Sequence, residues 1–395
     1  MKLSTALFGG MTVASALILP FPSPARSFQA AALAPALPLS AFPKFETVKL
    51  QNAKQVAAAD DGSGNPGQSK ITSAHVPGSD SATRPANVGG TINNDDRNST
   101  VSSQKNKASS CGTPSSRAEW RSYPTRSKRA FVDAIACLQS RPASGDFPPA
   151  TNRYEDFVRL HQALTPNIHN NDLFLIWHRY FVWAFEQALR GECGFNVGSL
   201  PWWDETRDAG RYAASSVFTA EYFGSLPKGN GTSGTCITDG RFGGSTLHIG
   251  PGTGSEPHCL SRAVDEKITA EVTKEYEDTC LSRSTFTDFA RCWEQGPHGL
   301  GHNSIGSVMA DVRSSPGDPV FWMHHLYVDR VFAAWQDRDT TGTRQRTIDG
   351  CADRARPCTP LTLQTRVVMG GLLKDVSVGQ VLDIANGAMC YRYDS

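Results

Sequence analysis

Residues 318–330 read DPVFWMHHLYVDR, two adjacent histidines inside an aromatic and aliphatic run. A neutral imidazole carries one donor and one acceptor that need partners away from water, so a buried pair requires something opposite it. The run has a helical pattern: Asp318 is placed to cap it, Pro319 to start it, and the apolar period continues to about residue 337. Other segments carry the same signal. SKRAFVDAIACLQ (127–139) puts Phe131, Ile135 and Leu138 on one stripe. TNRYEDFVRLHQALT (151–165) gathers Tyr154, Phe157, Val158, His161 and Leu164 on one face, with Asn152 and Glu155 at capping-box spacing and Pro166 just beyond the expected end. DLFLIWHRYFVWAFEQALR (172–190) is apolar nearly all round, as a helix at the centre of a core would be; Asn170 or Asn171 should open it and Gly191 stop it, and it contains His178. TFTDFARCWEQ (285–295) leads into GPHGLGHNSIG, where Pro297 as first helical residue sets His298 and His302 one turn apart on one face.

One buried histidine is usually a satisfied core residue. That explanation weakens when His161, His169 and His178 fall together at spacings of 8 and 9, and His298, His302 and the 324/325 pair form a second group. Two groups of three imidazoles imply two metal ions. Neutral imidazoles without a nearby carboxylate or thiolate suit copper, and zinc is the rival. The HGLGH stretch lacks the glutamate of a hydrolytic zinc helix. Two facing three-coordinate coppers leave positions open to dioxygen, which points to oxidase chemistry.

Composition narrows the setting. A net charge of +1 gives no sign of a nucleic-acid or membrane-surface partner. After Lys2, LSTALFGGMTVASALILPF reads as a secretory leader over roughly residues 1–25, too short and glycine-interrupted for a confident membrane span. Ten cysteines, all between Cys111 and Cys390 and none spaced C-x-x-C, read as disulfides in an exported chain. Asn98 and Asn230 begin sequons, hence a glycoprotein reading. From about 46 to 110 the sequence is Ser, Asn, Gly and Asp with almost no aromatics, so residues 26–110 are expected to be a low-complexity pro-segment or disordered linker and the globular core to start near Cys111. The stretch 215–262 reads as long loops pinned by Cys236 and Cys259, and the last fifty residues as short strands and turns; no internal repeat is present.

RAEW (117–120), HNNDLFLIWHRYFVWAFE, LPWWDE (200–205), HGLGHNSIG, MADVRSSPGDPVFWMHHLYVDRVFAAWQ and CYRY (390–393) resemble, in order, the landmarks of the tyrosinase and catechol oxidase family, the type-3 dicopper polyphenol oxidases, in a short fungal form. The resemblance spans 111–395 and implies a mainly α fold: an antiparallel four-helix bundle holding a dicopper centre, with long disulfide-pinned loops and a few short strands. It implies His161, His169 and His178 on the first copper, and His298, His302 and one of the adjacent pair on the second. Neighbouring helical positions point about 100° apart, so only one of His324 and His325 can reach that ion; the family's HxxxDR pattern selects His325, with Asp329. Asn167 stands where many relatives have the cysteine of a thioether crosslink, so His169 must be held by packing. The chain stops two residues after Tyr393, so no C-terminal lid is expected.

The resemblance further implies that Glu294 and an asparagine hold a water that deprotonates incoming phenols. Gly299 occupies the usual asparagine position, Asn303 is a weak substitute, and the small Val312 near a gating position suggests an open mouth. The implied activity is secreted oxidation of o-diphenols to o-quinones with O2, with weaker monophenol hydroxylation and no nucleic-acid or membrane partner. An o-aminophenol oxidase or a haemocyanin-like oxygen carrier are the alternatives, and neither the physiological phenol nor the oligomeric state is fixed by sequence.

Overall fold

The computed structural model describes residues 33–60, 111–385, 387 and 389–394. The expected leader, residues 61–110 and Asn98 lie outside the described residues. Helices dominate from Ala34 onward: α1 (Leu50–Asp60), α2 (Thr125–Ser140), α3 (Arg153–Ile168), α4 (Phe174–Cys193), α5 (Glu266–Thr269), α6 (Lys274–Leu281), α7 (Phe286–Trp293), α8 (Gly299–Ile305), α9 (Val320–Asp337) and α10 (Val378–Val381). Strands are two or three residues long and pair in two-stranded sheets, one of them the parallel pair of Ser115–Arg117 with Tyr391–Tyr393. The mainly helical expectation therefore holds. None of the described helices is long and apolar enough to cross a membrane.

At the centre α4 packs against α9, α2 and α3. Its sequence is apolar on almost every face, and residues from Phe174 to Leu189 are nearly all buried. Its regular turns begin at Phe174, and Asn171 opens the lead-in as expected, its Oδ1 accepting from the Leu173 N–H at 3.0 Å and its carbonyl from the Phe174 N–H at 3.3 Å. It does not stop at Gly191: the helix runs to Cys193 and ends at Gly194, whose φ of 65° is the left-handed conformation that terminates helices. Glycine inside a helix costs about 1 kcal/mol relative to alanine, and here the surrounding core and the Cys137–Cys193 disulfide to α2 outweigh it. α3 likewise overruns its expected end, carrying Pro166 in its last turn. A proline there removes a single ladder bond, and the Thr165 hydroxyl donates to the His161 carbonyl at 2.7 Å. Asn152 caps α3 as expected, accepting from the Glu155 N–H at 3.0 Å. Asp318 accepts from the Val320 N–H at 3.0 Å at the start of α9.

All ten cysteines pair: Cys111–Cys390, Cys137–Cys193, Cys236–Cys259, Cys280–Cys292 and Cys351–Cys358. The Cys236–Cys259 tether is the one the loop composition anticipated.

Ordered structure does not wait for Cys111. Residues 34–60 run across the domain as a strap ending in α1, with Phe42, Phe45 and Ala53 buried. Averaged composition over 26–110 hides the two phenylalanines of AFPKF, which supply the apolar surface that the Ser/Gly-rich residues behind them lack.

Candidate metal centre

α3 supplies His161 from its inner face and His169 from just past its end; α4 supplies His178. The α7–α8 junction supplies His298 and His302, and α9 supplies His324 and His325. The chain brings together two groups, His161, His169 and His178 in one and His298, His302, His324 and His325 in the other, each with ring nitrogens within 4.8 Å of one another. All seven are buried. The groups face each other: His169 stacks towards His298 with centroids 6.3 Å apart, and His178 on His325 at 4.6 Å.

A single hydrogen-bond pattern repeats. His161 Nδ1 meets the Arg313 carbonyl at 2.8 Å, His178 Nδ1 the Phe174 carbonyl at 2.9 Å, and His169 Nδ1 the Thr165 carbonyl at 3.4 Å. His298 Nδ1 meets the Glu294 carbonyl at 3.0 Å and His302 Nδ1 the Met309 carbonyl at 2.8 Å. A carbonyl can only accept, so each Nδ1 carries the proton and each Nε2 is left as a bare lone pair. Those lone pairs lack ordinary partners. Nε2 of His169 and of His298 has none, while the Nε2 atoms of His161 and His178 face each other at 3.3 Å. Two acceptors that close are satisfied by a cation between them.

Of the adjacent pair, His324 follows this pattern and His325 does not. His324 Nδ1 lies 2.6 Å from Glu205 Oε1, and its buried Nε2 has no partner. His325 has an unpartnered Nδ1, its Nε2 lies 3.1 Å from His302 Nε2, and its ring is stacked between Phe321 and His178. His325 Nε2 facing His302 Nε2 repeats the arrangement of His161 and His178, so the geometry is compatible with the HxxxDR expectation for His325, with His324 held from behind by Glu205. Gly301 makes room for this arrangement, since a Cβ there would lie 2.6 Å from His324 Cε1 and 2.8 Å from Glu205 Oε2.

Burial holds the histidines neutral. It pushes His161 down to about 4, and His169, His178, His298, His302 and His325 well below their usual value, with neighbouring imidazoles adding to the effect in all but His161. Neutral, lone-pair-bearing nitrogens are the form that binds metal. Six such donors in two facing groups fit a pair of imidazole-bound ions.

Glu294 closes the site on the side of His298. Burial raises its carboxyl to about 8, against the opposing effect of the Asn170 N–H, which donates to Oε1 at 2.7 Å. Asn170 aims that N–H from a left-handed backbone, φ 56°, which asparagine tolerates better than most residues. The other expected site residues are engaged by the strap. Asn303 clasps the backbone of Phe45, accepting from its N–H at 3.2 Å and donating to its carbonyl at 2.9 Å. Gly299 lies under Glu46 and Thr47, where a Cβ would come within 3.1 Å and 3.0 Å. Val312 does not frame an open mouth, because its N–H donates to the Pro43 carbonyl at 2.8 Å. Sequence reasoning missed Glu205 and Phe45. LPWWDE carried Glu205 only as part of a landmark, and nothing in AFPKF pointed to the histidines.

The comparisons with known proteins agree with this geometry. A family model described as the common central domain of tyrosinase matches residues 151–338. "Tyrosinase P" of Aspergillus terreus is 30% identical over 334 residues, covering 72% of this chain and 93% of that protein. The N-acetyl-6-hydroxytryptophan oxidase of Emericella nidulans is 30% identical over 336 residues, covering 70% and 92%. Among solved structures, a mutant polyphenol oxidase of Thermothelomyces thermophila aligns with a TM-score of 0.62 at 27% identity, covering 71% of this chain and 89% of that one. A functional unit of octopus hemocyanin, with a TM-score of 0.51 at 18% identity and coverages of 71% and 68%, shares the fold.

Proposed function

The chain belongs to the tyrosinase family and is a copper-dependent oxidoreductase, and from that premise we propose that it is a dicopper enzyme oxidising o-diphenols to o-quinones. His161, His169 and His178 hold one ion, and His298, His302 and His325 the other. The observation that carries this reading is the meeting of bare nitrogens: Nε2 of His161 faces that of His178 at 3.3 Å, Nε2 of His302 faces that of His325 at 3.1 Å, and Nε2 of His169 and of His298 has no partner. Bound copper supplies the redox chemistry: two diphenols each give up two electrons and two protons, and one O2 becomes two waters. The chain's own groups do the rest. Rings of Phe174, Phe321 and Trp177 around the histidines keep bulk water out. Glu294, with its carboxyl near 8, is suited to taking up and releasing a phenolic proton around neutral pH.

Hydroxylating a monophenol additionally needs that proton removed by an oriented base. Gly299 offers no side chain for the purpose, and Asn303 is committed to Phe45. The reading is therefore faster diphenol oxidation with weaker or lagging monophenol hydroxylation. Oxygen uptake on catechol should exceed that on phenol at least tenfold; equal rates would contradict it.

A cavity of about 640 Å³ opens beside Asn170 and Glu294 and carries the exposed Arg291, Arg354 and Arg356. No ion pair involves these three among the described residues, so the favoured substrates are phenols bearing a carboxylate on their tail. The five disulfides and the exposed Asn230 sequon support a secreted glycoprotein whose leader, residues 1–25, is removed.

A further inference from the structure

We propose that residues 34–60 are a built-in inhibitor, with the Phe45 ring seated where an aromatic substrate must lie, so that the intact chain is latent until the strap leaves. The proposal rests on the oxidase reading above. Phe45 stacks on His302 with centroids 4.1 Å apart and planes 19° from parallel. It also presents to the edges of His298 at 5.1 Å and His169 at 5.8 Å, touching both histidine groups at once. A flat ring held over the imidazoles of a centre that oxidises flat rings excludes any competitor from the same face. Beside it, Lys44, Glu46, Val312, Glu294 and Asn170 line a cavity of only about 180 Å³.

The backbone around Phe45 is gripped as a specific ligand would be. Asn303 satisfies both the N–H and the carbonyl of Phe45. On one side Pro43 accepts from Val312 N–H; on the other the Val48 N–H donates to the Gln295 carbonyl at 2.7 Å, and Tyr276 Oη donates to the Val48 carbonyl at 2.7 Å. Further out, Leu39 N–H reaches the Thr232 carbonyl at 2.8 Å, and Arg283 donates to the Ala53 carbonyl at 2.6 Å. Gly299 fits the same picture, because a side chain there would push into Glu46 and Thr47. No covalent bond ties the strap to the core among the described residues, since every disulfide joins cysteines from Cys111 onward. One cut between residues 61 and 110 would leave it held by these contacts alone.

The test compares three copper-loaded full-length proteins: wild type, Phe45→Ala, and a version with a specific protease site inserted between residues 85 and 86, assayed uncut and after cutting and dilution. Benzoate, an aromatic that is not turned over, reports access by calorimetry, and catechol-dependent oxygen uptake reports activity. Phe45→Ala and the cut protein should each bind benzoate at least tenfold more tightly than wild type and raise kcat/KM for catechol at least tenfold, with copper content unchanged. Tighter benzoate binding with no catechol oxidation in any form leaves the inhibitor standing and removes the oxidase reading. Catechol oxidation and benzoate binding at wild-type levels in both altered forms would overturn the inhibitor and leave the oxidase intact. Should Phe45→Ala fail to fold, the cut protein decides between these outcomes alone.

Discussion

His324 and His325 are neighbours in sequence with different hydrogen bonds, and the difference assigns them different work. Glu205 holds His324 from behind at Nδ1, whereas His325 turns its Nε2 onto that of His302 at 3.1 Å and stacks on His178 of the other group. His325→Ala is expected to lose one of the two coppers and catechol activity, while His324→Ala keeps both ions; metal analysis of the two variants settles the choice, and the reverse outcome would move the role to His324. That two groups of histidines meet was legible from apolar periodicity, because each ring sits on a face that must be buried. Which of two adjacent rings binds was not legible from periodicity, because the deciding contact, His325 Nε2 on His302 Nε2, is to a ring 23 residues away. A second prediction concerns the arginines beside Glu294. Arg354→Ala should raise KM severalfold for a catechol with a carboxylate tail and leave plain catechol unchanged; parallel changes in both would remove the anion-binding role.

At the scale of elements, α9 is positioned by charge as well as by packing. Asp329, one turn beyond His325, accepts from Arg179 Nε at 2.6 Å, Arg117 Nη1 at 3.3 Å, Tyr393 Oη at 2.7 Å and the Tyr391 hydroxyl. Burial alone would push its carboxyl up, but Arg179 and Arg117 hold it below the usual range, and Arg117 and Arg190 do the same for Glu186. A depressed carboxyl contributes stability that is present above the unfolded value, about 4, and lost as pH falls through the folded value. Wild-type stability should therefore drop below about pH 4. Asp329→Asn leaves the buried Arg179 guanidinium without its carboxylate and Arg117 with Glu186 alone, and should cost about 3–5 kcal/mol at neutral pH, with a shallower acid slope, in denaturant unfolding. An acid slope equal to wild type would remove the electrostatic account of α9. The existence of α3, α4 and α9 was readable because their apolar stripes are long. α1 was not: LQNAKQVAAAD has little apolar content, and its docking depends on tertiary contacts such as Arg283 to the Ala53 carbonyl. The ends of α3 and α4 ran past Pro166 and Gly191 because core burial outweighed the local stop signals.

At the scale of the whole molecule, five disulfides and a helical core hold apart two imidazole groups that stay neutral and bare when no metal is bound. The overall fold and the histidine centre followed from the sequence; the strap did not, because composition averaged over a long stretch concealed two phenylalanines that matter only where they land. The metal-free protein should also lose stability as pH falls below about 6.5, since unfolded histidines take up protons there that the buried ones, such as His161 with its value near 4, refuse. Copper should raise stability throughout but keep that loss, because it bars protons from the folded histidines while unfolded ones still take them up. The central claim is that two ions act together, and the decisive measurement is catechol-dependent oxygen uptake recorded while the metal-free Phe45→Ala protein is titrated with copper. Uptake should rise with the fraction of chains holding two ions and saturate only at two per chain. Uptake that rises linearly and saturates at one copper per chain would contradict a paired centre.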